Sequence, residues 1–350
     1  MTQRIFDGHN DVLLRLWRRD RTGSSFLEEG SEGHIDLVRA RRGGLVGGLF
    51  ATFVPEAPQV AGHRSELNGP GVDMPDVASA QRQERALAAA LGQLAIAIRI
   101  ERKAAGAVKL CRTAADIEAA TADGTFAMML HLEGAEAIGP SLDELEVLYA
   151  AGLRSLGMVW SRPTIFGYGV PFRFPSSPDI GDGLTDRGVA LIKACNALGI
   201  MVDCSHLNEK GFWDVVRHTD APIVATHSNA HALCPASRNL TDAQMDAIRD
   251  TDGVVGLNFA TFFLREDGRR SAATSIDTMT RHLDHMLNKL GPRGVALGSD
   301  FDGALVPAAI GDAAGLPRLV EAMRASGYAE DLIDAICYRN WMSVLARTLK

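Results

Sequence analysis

The sequence "IFDGHNDVLL" at residues 5–14 begins like a buried β-strand and then becomes polar. Side chains alternate between the two faces of a strand, so Asp7, His9 and Asp11 are predicted to share one face. Three ionisable groups on an apolar strand cost free energy through desolvation unless something compensates their charge. The stretch therefore predicts that the first strand of the fold ends at a functional site.

The same combination of an apolar strand and a polar end recurs along the chain. Eight strand candidates are seen, at residues 4–11, 44–54, 126–134, 153–160, 200–206, 222–228, 253–260 and 294–303. Amphipathic helical segments lie between them, for example at 84–105, 141–151, 185–198, 241–250, 276–290 and 313–326, and a last helix is predicted over 329–348. Eight alternating units favour a (β/α)8 TIM-type barrel over a doubly wound sheet. We predict an α/β fold in which residues 1–350 form a single barrel domain.

Two connections are longer than the rest, residues 55–83 after the second strand and residues 161–184 after the fourth. Both are rich in glycine and proline, and both would lie at the C-terminal face of the barrel, where active sites of this fold are built. We interpret them as walls of a substrate pocket. For residues 55–83, a disordered surface insertion is the alternative.

Composition excludes several classes of protein. The chain has 350 residues, of which 46% are hydrophobic, and its net charge of −7 argues against a nucleic-acid-binding protein. Its five cysteines are scattered without a CxxC pair, which fits a reducing compartment better than a disulfide framework. We see no signal peptide, lipid-anchor signal or membrane span. The expectation is a cytoplasmic protein that does not bind membranes.

Six polar side chains stand at the ends of five predicted strands. They are His9, Asp11, Glu133, His206, His227 and Asp300. Strand C-termini converge at one mouth of a barrel, so these side chains are predicted to meet. Imidazoles and carboxylates suit Zn²⁺, Fe²⁺, Mn²⁺ or Co²⁺, and a carboxylate such as Glu133 can bridge two ions. We predict a metal centre that can hold two ions.

Three further residues lie near members of this group in the sequence and are considered for supporting roles. Asp7 is a candidate for orienting the His9 ring. His131 faces the same way as Glu133, and Cys204 precedes His206 by two residues. We interpret His131 and Cys204 as buried core residues rather than ligands.

With these residues identified, the sequence resembles the renal or membrane dipeptidase family of the binuclear amidohydrolase barrels. The motifs that carry the resemblance occur in the family's order. They are "DGHND" (7–11), "LEGAEAI" (132–138), "DCSH" (203–206), "THSNAHALCPASRN" (226–239) and "GSDFDG" (298–303). The resemblance runs from the first strand to "GSDFDG" and implies a zinc dipeptidase that acts on dipeptides, including those with a C-terminal D-amino acid. It also suggests a homodimer.

The resemblance implies a role for each residue of the site. His9 and Asp11 would bind one zinc ion and His206 and His227 a second, with Glu133 bridging the two. Asp300 would relay protons between the attacking water and the leaving amine, as a carboxylate can. Arg238 would pair with the free carboxylate of the dipeptide, which its planar guanidinium matches.

One position departs from the family pattern. A histidine that contacts the substrate usually follows the fourth strand, and alignment places Trp160 there. Tryptophan offers one N–H donor and no positive charge, so the contact to the reacting carbonyl and the substrate range are both open. Two alternatives to a dipeptidase remain. One is a related hydrolase of N-acyl amino acids, lactones or phosphoesters, and the other is a non-catalytic metal-binding barrel.

Overall fold

The strands of the molecule form one parallel sheet. The computed structural model describes residues 3–55 and 78–350. Within these residues the strands are β1 (Ile5–Asn10), β2 (Leu45–Phe53), β3 (Val108–Leu110), β4 (Phe126–Glu133), β5 (Leu153–Gly157), β6 (Met201–Asp203), β7 (Val224–Ser228), β8 (Val254–Leu257) and β9 (Val295–Leu297). Eight of them follow the order β1-β2-β4-β5-β6-β7-β8-β9, and β3 pairs only with β4. The predicted barrel of eight strands is confirmed, and β3 is an addition that the sequence did not indicate.

The last strand meets the first just below the predicted site. The Asp300 N–H donates to the His9 carbonyl at 3.0 Å, and the Asp11 N–H donates to the Phe301 carbonyl at 2.8 Å. The Asp7 carboxylate accepts hydrogen bonds from the backbone N–H of Ser299 at 2.7 Å and from its hydroxyl at 2.8 Å. These contacts bring the ends of β1 and β9 together and so place His9 beside Asp300.

The described helices lie between successive strands, apart from the last three, which follow β9. They are α1 (Val12–Arg19), α2 (Leu37–Gly43), α3 (Ala78–Lys103), α4 (Ala114–Ala122), α5 (Asp143–Ala151), α6 (Asp186–Leu198), α7 (Glu209–His218), α8 (Asp242–Asp250), α9 (Thr261–Leu264), α10 (Ile276–Leu290), α11 (Leu316–Ala325), α12 (Glu330–Asp334) and α13 (Asn340–Thr348). Thr185 and Thr241 are N-caps whose side chains accept the Gly188 and Gln244 N–H groups, so α6 and α8 begin one residue after the predicted start. None of the described helices has both the length and the apolar composition needed to cross a bilayer.

The N-terminal end of the barrel is filled by side chains. Phe6, Leu49 and Met129 pack there with Trp341 of α13. The Trp341 indole N–H donates to the Leu297 carbonyl at 2.9 Å. Gly8 makes room for this ring, because a Cβ atom at Gly8 would lie 2.3 Å from it. With this end packed, the C-terminal end is where a ligand can enter, as in other barrels of this type.

The strands that precede Trp160, His206 and Asp300 end earlier than predicted. β5 ends at Gly157, β6 at Asp203 and β9 at Leu297, so Trp160, His206 and Asp300 each follow their strand by three residues. His206 and Asp300 adopt left-handed backbone conformations, with φ of 67° and 57°. Such conformations are uncommon for residues other than glycine and concentrate at functional sites.

The structure describes only one of the two predicted long connections in full. Most of the segment predicted at 55–83 falls on residues 56–77, which lie outside the described residues, and α3 begins at Ala78. In the segment 161–184, Phe166 is fully buried in the core, whereas Phe172 is 37% exposed and lines the cavity at the mouth of the barrel.

Candidate metal centre

The six predicted side chains meet at the C-terminal mouth of the barrel. His9 is the penultimate residue of β1 and Asp11 follows that strand directly, Glu133 ends β4, His227 lies in β7, and His206 and Asp300 follow β6 and β9. All of them except the half-buried Asp300 are at most 5% exposed. The fold therefore brings the strand ends together as the sequence predicts.

Glu133 stands at the middle of this cluster, and its two oxygens face different histidines. Its Oε1 lies 2.9 Å from Nε2 of His206 and 3.7 Å from Nε2 of His227. Its Oε2 lies 3.7 Å from Nε2 of His9, which is also 3.7 Å from Oδ2 of Asp11. The Nε2 atoms of His206 and His227 are 3.1 Å apart.

The arrangement fits divalent metal ions. In each of two groups of residues, the potential ligand atoms lie within 4.8 Å of one another. One group is His9, Glu133 and His227, and the other is His9, Asp11 and Asp300. Both ring nitrogens of His9 and Oδ1 of Asp11 are buried without a hydrogen-bond partner among the described residues. Buried polar atoms are ordinarily paired, so these orphaned atoms point to a missing partner. Nitrogen and oxygen donors of this kind suit Zn²⁺ and similar ions.

Hydrogen bonds orient two of the imidazole rings. Nδ1 of His206 lies 2.8 Å from the Ser161 hydroxyl. Nδ1 of His227 lies 2.9 Å from the Thr226 hydroxyl, which itself donates to Asp203 at 2.6 Å. Because the Thr226 proton goes to Asp203, Nδ1 of His227 is the donor, and its Nε2 lone pair is left facing the cluster. This is the usual arrangement of histidines that bind metal ions.

Burial and neighbouring charges together set the charge state of the cluster. Burial alone would lower the pKa of His9, but Glu133, Asp11 and Asp300 raise it to about 10. Burial lowers the pKa values of His206 and His227 well below the usual histidine range, so both rings are neutral. It raises the pKa of Glu133 well above its usual range, and nearby Asp11 and Asp300 raise it further. Neutral imidazoles beside carboxylates that repel one another are a favourable environment for a bound cation.

Asp300 differs from the other carboxylates of the cluster in its setting. Its Oδ2 accepts a hydrogen bond from the Asn258 amide at 3.1 Å. Burial raises its pKa to about 6, against the lowering effect of His9. A carboxylate with a pKa near neutrality can both take up and release a proton under ordinary conditions.

Arg238 is buried beside the cluster, with 3% of its surface exposed. Its Nη1 donates to the Ser228 hydroxyl at 2.8 Å and its Nη2 to the His227 carbonyl at 2.9 Å. Its Nε has no partner among the described residues. Burial lowers its pKa to about 10, so the guanidinium stays charged at neutral pH. Arg238 therefore ties down the loop after β7 and keeps one N–H unused, while its contact with a substrate carboxylate stays a prediction.

A cavity of about 200 Å³ opens above the cluster. Asp11, Glu133, His206 and Asp300 lie in its lining, and Trp160 forms part of its wall. The Trp160 ring packs edge-on against Phe53 and Phe172, with centroid distances of 5.2 and 5.4 Å. It also lies 5.8 Å from the His206 ring. Trp160 thus occupies a position from which it can contact a ligand, although its role in substrate binding stays a prediction.

Asp7 and His131 lie outside the cluster of six side chains. Asp7 bonds to Ser299, and Nδ1 of His9 has no partner among the described residues, so the expected Asp7–His9 contact is wrong. The pairing of β1 with β2 is irregular between Asp7 and Asn10, which breaks the alternation on which that expectation rested. His131 bonds instead to Ser155 at 2.9 Å, and burial lowers its pKa to about 3.

Three partners of the cluster were not identified from the sequence. Ser161 and Thr226 contact the outer nitrogens of the histidines, and Asn258 contacts Asp300. Asn258 follows β8 directly, so the rule that identified the other polar strand ends also applies to it. Ser161 lies in an irregular segment, where periodicity carries no signal.

Comparison with known proteins gives one family for the whole chain. A sequence model of the membrane dipeptidase family, peptidase family M19, matches residues 1–349. A protein of Klebsiella pneumoniae, named only as an uncharacterized protein in the pqqA 5′ region, is 52% identical over 253 residues, which cover 72% of this chain and 93% of that protein.

Two solved structures are similar over nearly the full length. A dipeptidase described as a metallopeptidase of family M19 has a TM-score of 0.92 at 51% identity, covering 100% of this chain and 99% of that chain. A metallopeptidase of Rhodobacter sphaeroides, bound to a phosphinate mimic of the dipeptide L-Ala-D-Ala, has a TM-score of 0.91 at 51% identity, covering 99% and 100%.

Proposed function

The chain belongs to the membrane dipeptidase family, peptidase family M19, and from this premise we propose that it hydrolyses dipeptides at a centre of two zinc ions. Membership makes it a hydrolase of the metallo-dipeptidase class with a metal cofactor. The proposal concerns the number and identity of the ions, the residues that hold them, and the substrates. Dipeptides with a C-terminal D-amino acid are included, since the similar Rhodobacter sphaeroides protein binds a mimic of L-Ala-D-Ala.

The two-ion proposal is supported by the orientation of the Glu133 carboxylate, whose two oxygens face different histidines. Its Oε1 faces His206 and His227, and its Oε2 faces His9. On this basis His9 and Asp11 would hold one ion, His206 and His227 the other, and Glu133 both. When bound, the ions would polarise the scissile carbonyl and lower the pKa of water at the site to about 7.

Asp300 would transfer protons and Arg238 would bind the substrate carboxylate, two functions that the ions do not provide. Since Asn258 holds Oδ2 of Asp300, Oδ1 is the oxygen that would take the proton from the attacking water and deliver it to the leaving amine. Arg238 would use its unpaired Nε to bind the terminal carboxylate and so fix the dipeptide in place. Both roles follow from the family resemblance and from the position of each side chain beside Glu133, whose pKa Arg238 affects.

We also propose that residues 1–350 act as one catalytic domain in the cytoplasm. All five cysteines are buried and unpaired, as expected in a reducing compartment. A homodimer, suggested by the family resemblance, is part of the same proposal and can be checked by analytical ultracentrifugation.

The proposed function is tested by measuring free amino acids released from a panel of L-Xaa-L-Xaa and L-Xaa-D-Xaa dipeptides. Zinc-loaded protein should cleave them, and protein stripped of metal by a chelator should not, with activity returning on readdition of zinc. N-acetyl amino acids, lactones and phosphoesters serve as alternative substrates. Cleavage of one of these classes without cleavage of any dipeptide would contradict the proposal.

A further inference from the structure

The cavity above the metal centre has an uneven distribution of charge. Three carboxylates, Asp11, Glu133 and Asp300, lie at its floor. Within the described lining, Arg270 is the one lysine or arginine side chain, and it is exposed at the surface. A cation that faces the cavity from its rim, apart from the metal-binding floor, can act on a part of the substrate that does not react.

Arg270 has no carboxylate partner within ion-pair distance among the described residues. The neighbouring Arg265, by contrast, is paired with Asp267. The guanidinium carbon of Arg270 instead lies 5.7 Å from the centroid of the Phe262 ring, a cation–π arrangement that orients the side chain and leaves its N–H groups available. Phe262 also lines the cavity.

Arg270 and Arg238 contact adjacent phenylalanine rings of the cavity wall. The Phe262 and Phe263 rings pack edge-to-face with centroids 5.2 Å apart. Arg238 contacts the Phe263 ring at 5.8 Å, and Arg270 contacts the Phe262 ring at 5.7 Å. The two guanidinium groups therefore lie on the same side of the mouth of the barrel, with Arg238 buried outside the cavity lining and Arg270 exposed at the rim.

We propose that Arg270 selects dipeptides whose C-terminal residue carries a carboxylate side chain, aspartate or glutamate. The inference rests on the proposed dipeptidase function and on Arg238 as the partner of the terminal carboxylate. That carboxylate is at most about 4 Å from the scissile carbon, close to the separation of neighbouring Cα atoms, so it must lie deep in the cavity. The side chain of the same residue can extend along the Phe262–Phe263 wall to the rim.

The described part of the wall offers an acidic side chain no other lysine or arginine. Phe53, Trp160 and Phe172 form the aromatic cluster described above, and none of them carries a charge. The floor is the proposed metal centre, where the scissile bond has to lie, so a side chain that does not react extends away from it. An aspartate or glutamate side chain is therefore complemented at Arg270, where a charge-assisted hydrogen bond can form.

The test compares substrates that differ only in charge. Values of kcat/KM are measured for Ala-Asp against Ala-Asn and for Ala-Glu against Ala-Gln, each with an L and a D C-terminal residue. The wild-type protein should prefer the acid by about tenfold or more, the usual effect of one charge-assisted hydrogen bond. Arg270→Gln should remove this preference through KM, and Arg270→Lys, which keeps the charge, should retain part of it.

Arg269→Gln is the matched control, because Arg269 is the adjacent exposed arginine and is not part of the described cavity lining. It should leave the preference for the acid unchanged. Equal rates on acid and amide substrates in the wild type would overturn the inference while the dipeptidase function stands. Equal losses on both substrates in Arg270→Gln would also overturn it, because a purely structural role predicts that result. Failure to cleave any dipeptide would overturn the proposed function and this inference together.

Discussion

At the scale of single residues, Asp300 and Glu133 illustrate how similar side chains in one cluster acquire different roles. Glu133 is buried at the centre with both oxygens facing histidines. Asp300 is half-buried at the cavity, has a hydrogen bond from Asn258 and a pKa raised to about 6. The first environment suits a group that holds ions, and the second suits one that exchanges protons.

Replacing Asp300 by asparagine tests the proton-transfer role. Asp300→Asn keeps the size and the acceptor for the Asn258 amide but cannot take up a proton. We expect turnover to fall about 10²–10⁴-fold, the usual share of general acid–base catalysis, with metal content near that of the wild type. Steady-state kinetics and elemental analysis of the same preparation provide both readouts. Loss of an ion would make Asp300 a ligand, and near-normal turnover would remove it from the mechanism.

Arg238 is tested by removing its charge and the substrate's charge in turn. Arg238→Met should lower kcat/KM for free dipeptides by about one to two orders of magnitude, since a charge-assisted hydrogen bond contributes roughly 1.5–3 kcal/mol. Dipeptides capped as C-terminal amides already lack the interaction, so the same variant should affect them little. If capped and free dipeptides lose rate equally, Arg238 serves only to hold the loop after β7 through Ser228 and His227.

At this scale the sequence predicted which residues converge, but not how their neighbours orient them. The convergence of His9, Glu133 and His227 follows from one property of parallel barrels, the common direction of their strands. The expected contact of Asp7 with His9 failed because the irregular pairing of β1 and β2 moves Asp7 towards Ser299. Such local irregularities depend on the neighbouring strand, and the pattern of one strand cannot reveal them.

At the scale of secondary-structure elements, His282 joins α10 to α9 and to the loop after β7. Its Nδ1 accepts the Ala230 N–H at 3.2 Å, and its Nε2 donates to the Leu264 carbonyl at 2.9 Å. The first contact requires the neutral ring, because a protonated Nδ1 cannot accept a hydrogen bond. Burial lowers the pKa of His282 to about 4.

This environment predicts a pH-dependent contribution to stability. Between pH 6.5 and about 4 the unfolded chain binds a proton at His282 and the folded chain does not, so stability present above pH 6.5 is lost as the pH falls towards 4. The lowered pKa corresponds to about 3 kcal/mol. In His282→Asn this part of the pH dependence should disappear, although the variant is less stable at pH 7. Free energies of unfolding measured from pH 7 to pH 4 would falsify the assignment if both proteins showed the same slope.

The sequence predicted the existence and order of elements better than their ends. Thr185 and Thr241 are the N-caps of α6 and α8. The predicted helices 185–198 and 241–250 include these cap residues and otherwise have the observed bounds. The missed strand β3 has only three residues, Val108–Leu110, which is too short for an alternating pattern to stand out. The left-handed turns at His206 and Asp300 fall inside the predicted strands 200–206 and 294–303, because no sequence pattern marks a single non-glycine residue with a positive φ.

At the scale of the whole molecule, the barrel separates stability from chemistry. Trp341 and the side chains around Phe6 fill the N-terminal end, and the ionisable cluster occupies the C-terminal end. The number of alternating segments predicted this architecture, because eight β/α units close into a barrel. The position of Arg270 at the cavity rim could not be predicted, since it depends on how the loop after β8 folds over the mouth.

The metal content of the wild-type protein tests the central claim most directly. Protein loaded with excess zinc and then desalted is measured by elemental analysis against its concentration. A centre in which Glu133 presents one oxygen to His9 and the other to His206 and His227 predicts about two zinc ions per chain. Well-folded protein that retains no zinc after this treatment would contradict the account.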